Sequence, residues 1–331
     1  MLAVLGLAVG VCGSAAGAVR TPPHAVTLTG GKSHFYDLYL PIVGSPKYAV
    51  YTAQPYPYQN ETLHVRTAKA KTSTLAFDPN DDIEPTSLAA GSLTGSDVFA
   101  DTGSGLVPDA AEWWNVGSGE HGVLMLASTD AYLSSAPDGV LAIGPSGELQ
   151  DHPTAGGRDR KVGTPFPKAT SSSPPVAVAG DAGVVLAFHH SFRYMAWADP
   201  GVFTTLDVGA TGDTDLFCSS VTSGAAGCGG IDATGHPLVL RVPLTGSAPV
   251  VTQLAASACP SAIYLTSAVT AWSDGCERTI NTVPAGAGTP IASGPAYVQE
   301  GVGLIGAFGK LVMAVDPGHR YAVDEAATAS G

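Results

Sequence analysis

An acidic segment offers the first candidate chemistry. Asp78, Asn80, Asp81, Asp82 and Glu84 place five oxygen-bearing side chains close together. Carboxylate and amide oxygens are the hard ligands that Ca²⁺ prefers. The segment lacks the glycine and the spacing of an EF-hand loop, so it indicates either an irregular calcium site or a solvated acidic loop. No other cofactor is predicted.

A second segment combines aromatic and ionisable residues. Glu112, Trp113 and Trp114 are followed closely by His121. Indole faces beside a carboxylate could form a platform for a carbohydrate, and they could equally fill a gap between packed sheets. We predict a loop-like stretch whose aromatic residues pack in the core, with ligand binding by Glu112, Trp113, Trp114 and His121 as the alternative.

A third segment alternates tyrosine with proline. Tyr56 and Tyr58 lie in the run 51–58, where proline removes the backbone donors that a central strand needs. The run therefore predicts an exposed, stiff aromatic loop. Such a loop could bind a partner, or it could simply connect two strands.

Two further motifs look catalytic but are incomplete. The run Asp101-Thr-Gly-Ser104 resembles the aspartic-protease signature, yet that chemistry needs two carboxylates sharing a proton, and the chain holds no second copy. His189 and His190 are predicted within a strand, where neighbouring side chains point to opposite faces and cannot bind one metal ion together. Neither motif establishes an enzyme, and an activity is left open.

Residues 1–18 carry no charged side chain and end in Ala16-Gly17-Ala18, a pattern typical of a signal-peptide cleavage site. A retained membrane anchor, a lipid-modified Cys12 and a buried strand are the alternatives. We predict a signal peptide over 1–18 and a secreted or extracytoplasmic protein over 19–331, with no membrane span after the signal is removed.

The mature chain keeps Cys218, Cys228, Cys259 and Cys276, an even number that predicts two disulfides in an exported protein. Three connectivities are open. Cys218–Cys228 and Cys259–Cys276 would each close a short local loop. A zinc site is the rival interpretation, but the chain has no Cys-x-x-Cys spacing.

The amino-acid composition argues against a nucleic-acid partner and in favour of an all-β fold. The 331 residues include 15 basic and 28 acidic side chains, for a net charge of −13, which excludes the basic surface that nucleic-acid binding requires. With 41 glycines and 25 prolines, and short apolar runs between turn residues, the chain predicts an all-β fold rather than a helical bundle.

Turn residues recur along the chain at steps of 31 to 53 residues. The seven positions are Asp78, Asn115, Ser146, Asp199, Asp232, Asp274 and Asp316. The longest step spans 151–175, which we interpret as a polar insertion or loop. Aspartate and glycine suit such turns because they stabilise tight hairpins.

An all-β repeat near 40 residues resembles the β-propeller superfamily, with one four-stranded blade per repeat. The resemblance implies a single propeller, with seven blades and with the strand near Val26 pairing with the outgoing segment 321–323. The chain has no WD or Kelch signature, and a tandem pair of β-sandwiches is the alternative fold.

The interpretation as an exported β-propeller predicts a monomeric, non-catalytic binding module for an envelope glycan or another exported protein. The alternative is a glycan hydrolase or lyase whose carboxylates come from different repeats and meet at the central channel. Two carboxylates about 5 to 9 Å apart would favour that alternative.

Overall fold

The structure is a computed structural model that describes residues 120–285, apart from 155, 181, 210–215, 266–268, 275, 277 and 278. Outside this range it describes the backbone of the strands and the side chain of Trp113. The described residues form strands and turns without a helix, which confirms the all-β prediction. No helix that could cross a membrane occurs in this described part.

The strands are short, as expected for apolar runs separated by glycine, proline and aspartate. The first nine are β1 Ala25–Thr27, β2 Ile42–Gly44, β3 Tyr48–Ala53, β4 Thr62–Thr67, β5 Thr72–Phe77, β6 Glu84–Ala89, β7 Asp97–Asp101, β8 Ala110–Asn115 and β9 His121–Met125. The next ten are β10 Ala131–Ala136, β11 Gly139–Ile143, β12 Leu149–Pro153, β13 Arg160–Gly163, β14 Val176–Ala179, β15 Gly183–Phe188, β16 Ser191–Ala196, β17 Phe203–Thr205, β18 Phe217–Val221 and β19 Ala225–Ile231. The last nine are β20 Pro237–Pro243, β21 Val250–Gln253, β22 Pro260–Leu265, β23 Val269–Asp274, β24 Thr279–Pro284, β25 Ile291–Pro295, β26 Leu304–Phe308, β27 Leu311–Asp316 and β28 Arg320–Asp324.

These strands form seven four-stranded antiparallel sheets in the part of the chain that the structure describes. Sheets 1 to 6 each take four consecutive strands, from β2–β5 to β22–β25. Sheet 7 has the order β1-β28-β27-β26. Val26 lies opposite Val323, and Thr27 lies opposite Ala322, so the predicted pairing between the two ends of the domain is confirmed.

The first strand of each sheet contacts the first strand of the next sheet. These innermost strands are β2, β6, β10, β14, β18, β22 and β26, and β26 contacts β2 in turn. The seven sheets are therefore arranged in a closed ring. Because β1 supplies the outer strand of sheet 7, the start of the domain completes its last sheet.

Apolar side chains are buried in layers between successive sheets. One layer between sheets 4 and 5 includes Val185, Phe192 and Leu240. Glycine in β19 permits a close approach to sheet 6, since a Cβ at Gly229 would lie only 2.7 Å from the Ile263 side chain. In the described part of the ring, the core thus lies in several layers between sheets.

The second strand of a sheet turns into the third at a recurring position. Asp232 directly follows β19, and Asp274 and Asp316 end β23 and β27. Ser146 lies in the corresponding turn of sheet 3, between β11 and β12. Four of the seven predicted repeat positions therefore share one place in the fold.

The remaining positions correct the predicted repeat. Asp199 follows β16, the third strand of sheet 4, and Asn115 ends β8, the third strand of sheet 2. Asp78 lies outside the described residues. Aspartate and asparagine favour any tight turn, so their presence does not reveal which turn of the sheet they occupy.

His189 and His190 form the second-to-third turn of sheet 4, so their prediction within a strand was wrong. β15 ends at Phe188, which pairs with Ser191, leaving these two exposed residues as the hairpin turn. His189 has φ 52°, the left-handed conformation that such a short turn requires.

Residues 151–175, predicted as a polar insertion or loop, contain the end of β12 and the whole of β13. These are the two outer strands of sheet 3. The segment is polar because an outer strand faces solvent. Lys161 of β13, for example, forms an ion pair with Glu148 at 2.7 Å.

Candidate functional site

Several predicted site residues fall where the structure gives no description. Tyr56 and Tyr58 lie between β3 and β4, outside the described residues. Asp78, Asn80, Asp81 and Asp82 likewise lie outside the described residues, between β5 and β6. Their proposed roles in ligand and calcium binding remain predictions.

The aromatic segment lies in two paired strands, although the sequence suggested a loop. Glu112, Trp113 and Trp114 belong to β8, and His121 begins β9. The register places Trp114 opposite His121, and Trp113 opposite Gly122. The backbone therefore brings the predicted residues onto one hairpin.

Trp113 is half-buried and packs against Leu126, Val140 and Ala142, in the layer between sheets 2 and 3. A Cβ at Gly122 would lie 3.0 Å from the Trp113 indole nitrogen, so this glycine leaves room for the ring. The contacts of Trp113 favour core packing for this residue.

The acidic segment and the incomplete protease motif meet in sheet 2. Glu84 begins the innermost strand β6 and lies opposite Asp101, which ends β7. Residues directly opposite each other in an antiparallel pair have Cβ atoms about 4.5 to 5.5 Å apart. The two residues are 17 positions apart in the sequence and become neighbours only through strand pairing, so the sequence pattern did not predict that they are close.

The largest described group of ionisable residues surrounds His152, near the outer part of sheet 3. His152 is buried, with Nδ1 3.0 Å from Oδ1 of Asp159 and Nε2 3.9 Å from Oδ2 of Asp130. Nε2 has no hydrogen-bond partner among the described residues. No sequence pattern indicates this group, because its members come from β12 and two separate connections.

A second ion pair adjoins this histidine. Arg160 donates a hydrogen bond to Asp151 and lies 3.6 Å from Asp138. Burial raises the pKa of the Asp151 carboxyl, and the neighbouring guanidinium partly opposes that effect. Because the contacts join adjacent strands and a turn of one sheet, we interpret this group as structural.

Asp232 organises the turn between β19 and β20. Its Oδ1 accepts hydrogen bonds from the Thr234 hydroxyl at 2.6 Å and from the backbone N–H groups of Thr234 and His236. The Thr234 hydroxyl is the main cause that lowers the pKa of Asp232 from 3.8 to about 2. This arrangement stabilises a turn. The Thr234 hydroxyl lies between the Asp232 carboxylate and the His236 imidazole, whereas in a catalytic triad the imidazole lies between the nucleophile and the carboxylate.

Both predicted local cysteine pairs lie at disulfide distance. Cys218 and Cys228 are register partners in β18 and β19, whereas Cys259 and Cys276 join the segment before β22 to the turn after β23. Disulfides are typical of oxidising compartments. No group of three metal-binding side chains occurs in the described part of the chain.

Four exposed large apolar residues lie on or beside outer strands, whereas a fifth, Val176, begins the innermost strand β14 and is 67% exposed. Val123 and Met125 lie on β9, which ends sheet 2, and are 57% and 62% exposed. Val251 lies on the outer strand β21, and Val202 directly precedes β17. Val123 and Met125 are the two that lie on the same outer strand.

The sequence matches no family model and no curated protein. Solved structures do share its fold. The β-propeller domain of Myceliophteria thermophila Cps50 (Swd1) is 10% identical, with a TM-score of 0.56, and covers 92% of this chain and 99% of its own. The RRP9 WD40 repeats are also 10% identical, with a TM-score of 0.57, over 92% of this chain and 98% of theirs.

The chain is a β-propeller. Both similarities extend over nearly the whole sequence, and they agree with the closed ring of four-stranded sheets. A prolyl endopeptidase structure is matched over 76% of this chain but only 41% of its own length, at 12% identity and a TM-score of 0.49. At such identities the likeness concerns the fold alone, because function depends on sites grafted on that fold.

Proposed function

We propose that this propeller is an exported, non-catalytic module that binds another exported protein. Residues 1–18 serve as the signal peptide in this proposal, and the mature protein begins at Val19. The two disulfides support an oxidising destination. The net charge of −13 disfavours strongly anionic partners.

The composition of the innermost strands supports binding over catalysis. β10, β14 and β18 read AYLSSA, VAVA and FCSSV, and β2, β22 and β26 are similarly neutral. Across all seven described innermost strands, Glu84 is the single carboxylate. Glycosidase chemistry uses a pair of carboxylates, which these strands alone would not supply.

The observation that carries the proposal is the edge strand β9. Its five residues, HGVLM, include no acidic or basic side chain other than histidine, and Val123 and Met125 are exposed on alternate positions. Leu124, between them, packs into the layer shared with sheet 3. An uncharged edge strand with an exposed apolar face is suited to pair with an extended segment of another protein.

The test is a site-specific photocrosslink in cells that produce the full chain. A benzophenone amino acid at Val123 is expected to capture one exported protein, and N-terminal sequencing of the secreted chain should begin at Val19. Met125→Asp should abolish the adduct, whereas Val251→Asp, an equally apolar-to-acidic change on β21, should leave it intact. A cytosolic partner, or adduct formation that Met125→Asp does not affect, would refute the proposal.

A glycan partner is the main competing form of binding. It would use the predicted residues Glu112, Trp114, His121, Tyr56 and Tyr58 instead of the exposed side chains of Val123 and Met125. Competition separates the two, since soluble envelope glycans should not reduce the Val123 adduct if the partner is a protein. If soluble glycan by itself abolishes the Val123 adduct, a glycan is favoured as the partner.

The Glu84–Asp101 register supports a glycan hydrolase or lyase as a second candidate. The register places two carboxylate-bearing residues opposite each other, and retaining glycosidases use a pair of carboxyl groups about 5 to 5.5 Å apart. If the protein is such an enzyme, Glu84→Gln and Asp101→Asn should each abolish release of reducing ends from the glycan, whereas Asp138→Asn should retain it. An unchanged glycan after incubation with the wild-type protein would eliminate this candidate.

A further inference from the structure

The two disulfides of this propeller differ in their access to solvent. Cys228 is completely buried in the layer between sheets 4 and 5, and its partner Cys218 is half-buried beside it. Cys259 and Cys276 are both exposed. Because exchange requires a thiolate to reach a disulfide sulfur, the two bonds should differ greatly in reactivity.

We propose that Cys259–Cys276 is a reversible thiol–disulfide exchange site, whereas Cys218–Cys228 is a permanent structural bond. The exposed bond joins the segment before β22 to the turn after β23, at one end of sheet 6. Its opening would place two thiols at the surface without removing any strand from the sheet.

Asp274 holds the two cysteines in position for the disulfide to re-form after reduction. Its carboxylate is almost completely buried, and Oδ1 accepts the backbone N–H of Cys259 at 3.1 Å and that of Cys276 at 3.0 Å. Neither hydrogen bond involves sulfur, so both can persist after reduction. The two cysteines, whose Cα atoms lie 5.3 Å apart, would therefore stay close enough to re-form the bond.

The segment that precedes Cys259 is short and anchored at its start. Leu254 is buried and donates its backbone N–H to the carbonyl of Pro237, while residues 255–257 are exposed. The Ser257 carbonyl oxygen lies 3.9 Å from Cys259 Sγ, where it could accept a hydrogen bond from the thiol formed on reduction. Reduction would thus change a local surface and leave the core intact.

The exchange needs a dithiol as co-reactant. A thiolate of that dithiol attacks one sulfur, the Cys259–Cys276 bond breaks, and the electron pair leaves on the other cysteine. The second thiolate of the dithiol then attacks the mixed disulfide. The protein gains two electrons and two protons, and the dithiol is oxidised to its own disulfide.

The test is a graded reduction of the folded full chain with dithiothreitol, followed by alkylation and peptide mass spectrometry. Cys259 and Cys276 should be alkylated at reductant concentrations about tenfold or more below those that expose Cys218 and Cys228. In urea the two pairs should react alike, because unfolding removes the difference in access. Simultaneous reduction of both pairs in the folded protein would overturn the proposal, as would prior reduction of Cys218–Cys228.

Reoxidation tests the role of Asp274 separately. After dithiothreitol is removed, Asp274→Ala should re-form Cys259–Cys276 several-fold more slowly than wild type, whereas Asp274→Asn keeps an acceptor oxygen and should be less affected. Asp232→Asn in the corresponding turn of sheet 5 is the matched control. If Asp274→Ala does not fold, the wild-type comparison between folded and urea-unfolded protein still decides the proposal.

Discussion

Glu84, the first residue of β6, lies directly opposite Asp101, the last residue of β7. The pairing joins two motifs that are separate in the sequence, the acidic segment and the incomplete protease signature. Two neighbouring carboxylates repel each other unless a cation or a shared proton lies between them. Glu84 ends the acidic segment, whose side-chain oxygens are ligands that Ca²⁺ prefers, so Ca²⁺ is the cation to test.

We predict that Ca²⁺ stabilises the wild-type protein through this group. At a concentration about 100 times the Kd, binding should add about 2.7 kcal/mol to the free energy of unfolding. Glu84→Gln and Asp101→Asn should each reduce the Ca²⁺-dependent rise in Tm, measured by calorimetry. Asp138→Asn is the control. A rise that both variants retain in full would exclude this pair from the site.

Removing the buried disulfide should destabilise the fold. The double variant Cys218→Ser, Cys228→Ser should lower the free energy of unfolding in urea by about 2–4 kcal/mol, since it frees a loop in the unfolded chain. Cys259→Ser, Cys276→Ser should have an effect of similar size. Equal urea midpoints for wild type and both double variants would show that these bonds contribute no stability.

The turn at Asp232 should respond to acid. Folding lowers the pKa of Asp232 from 3.8 to about 2, so the stabilisation is complete above pH 3.8 and is lost as the pH falls toward 2. The wild type should therefore be more stable than Asp232→Asn near pH 6, and this difference should shrink between about pH 4 and pH 2. Urea unfolding at several pH values measures it, and a pH-independent difference would contradict the assignment.

Removing the Thr234 hydroxyl tests the cause of this shift. Thr234→Val should raise the pKa of Asp232 toward its ordinary value, as followed by carboxyl chemical shifts in NMR. Thr245→Val changes a hydroxyl that instead contacts Ser247, so it serves as the control. An Asp232 pKa that Thr234→Val leaves near 2 would assign the effect to the backbone donors.

Gly139→Ala should disrupt sheet 3. A Cβ at Gly139 would collide with the backbone carbonyl of His152 in the paired strand β12, and a backbone atom cannot rotate away. We expect a loss of about 1–3 kcal/mol or more in the free energy of unfolding. Gly224→Ala, where nothing lies within 4 Å of the added Cβ, should be nearly neutral. Equal effects of the two variants would contradict this packing.

Local chemistry made much of the fold predictable from the sequence. Apolar runs between turn residues indicated strands, and a period near 40 residues indicated repeated sheets. The pairing of Val26 with the segment 321–323 was also predictable, because a closed ring needs its two chain ends to meet. The local cysteine pairs followed from loop length, since short loops close at the least entropic cost.

The sequence was less informative where the same residue type suits several places. Asp199 and Asp232 look alike in sequence, yet one follows a third strand and the other a second strand. His189 and His190 were assigned to a strand because aromatic and apolar residues surround them. Two-residue turns are usually recognised by glycine, asparagine or aspartate. Here a histidine adopts the left-handed conformation, so the sequence does not indicate the turn.

The sequence by itself indicated most of the strands, a repeat near 40 residues and the local cysteine pairs, because those depend on residues that are near one another along the chain. Only the tertiary structure placed Glu84 opposite Asp101, buried His152 between Asp130 and Asp159, and set Asp274 beneath an exposed disulfide. Each of these relationships depends on the register between strands or on the packing of connections. Register and packing are decided by the whole ring, since a strand buries its apolar face only against neighbours that the local sequence does not specify.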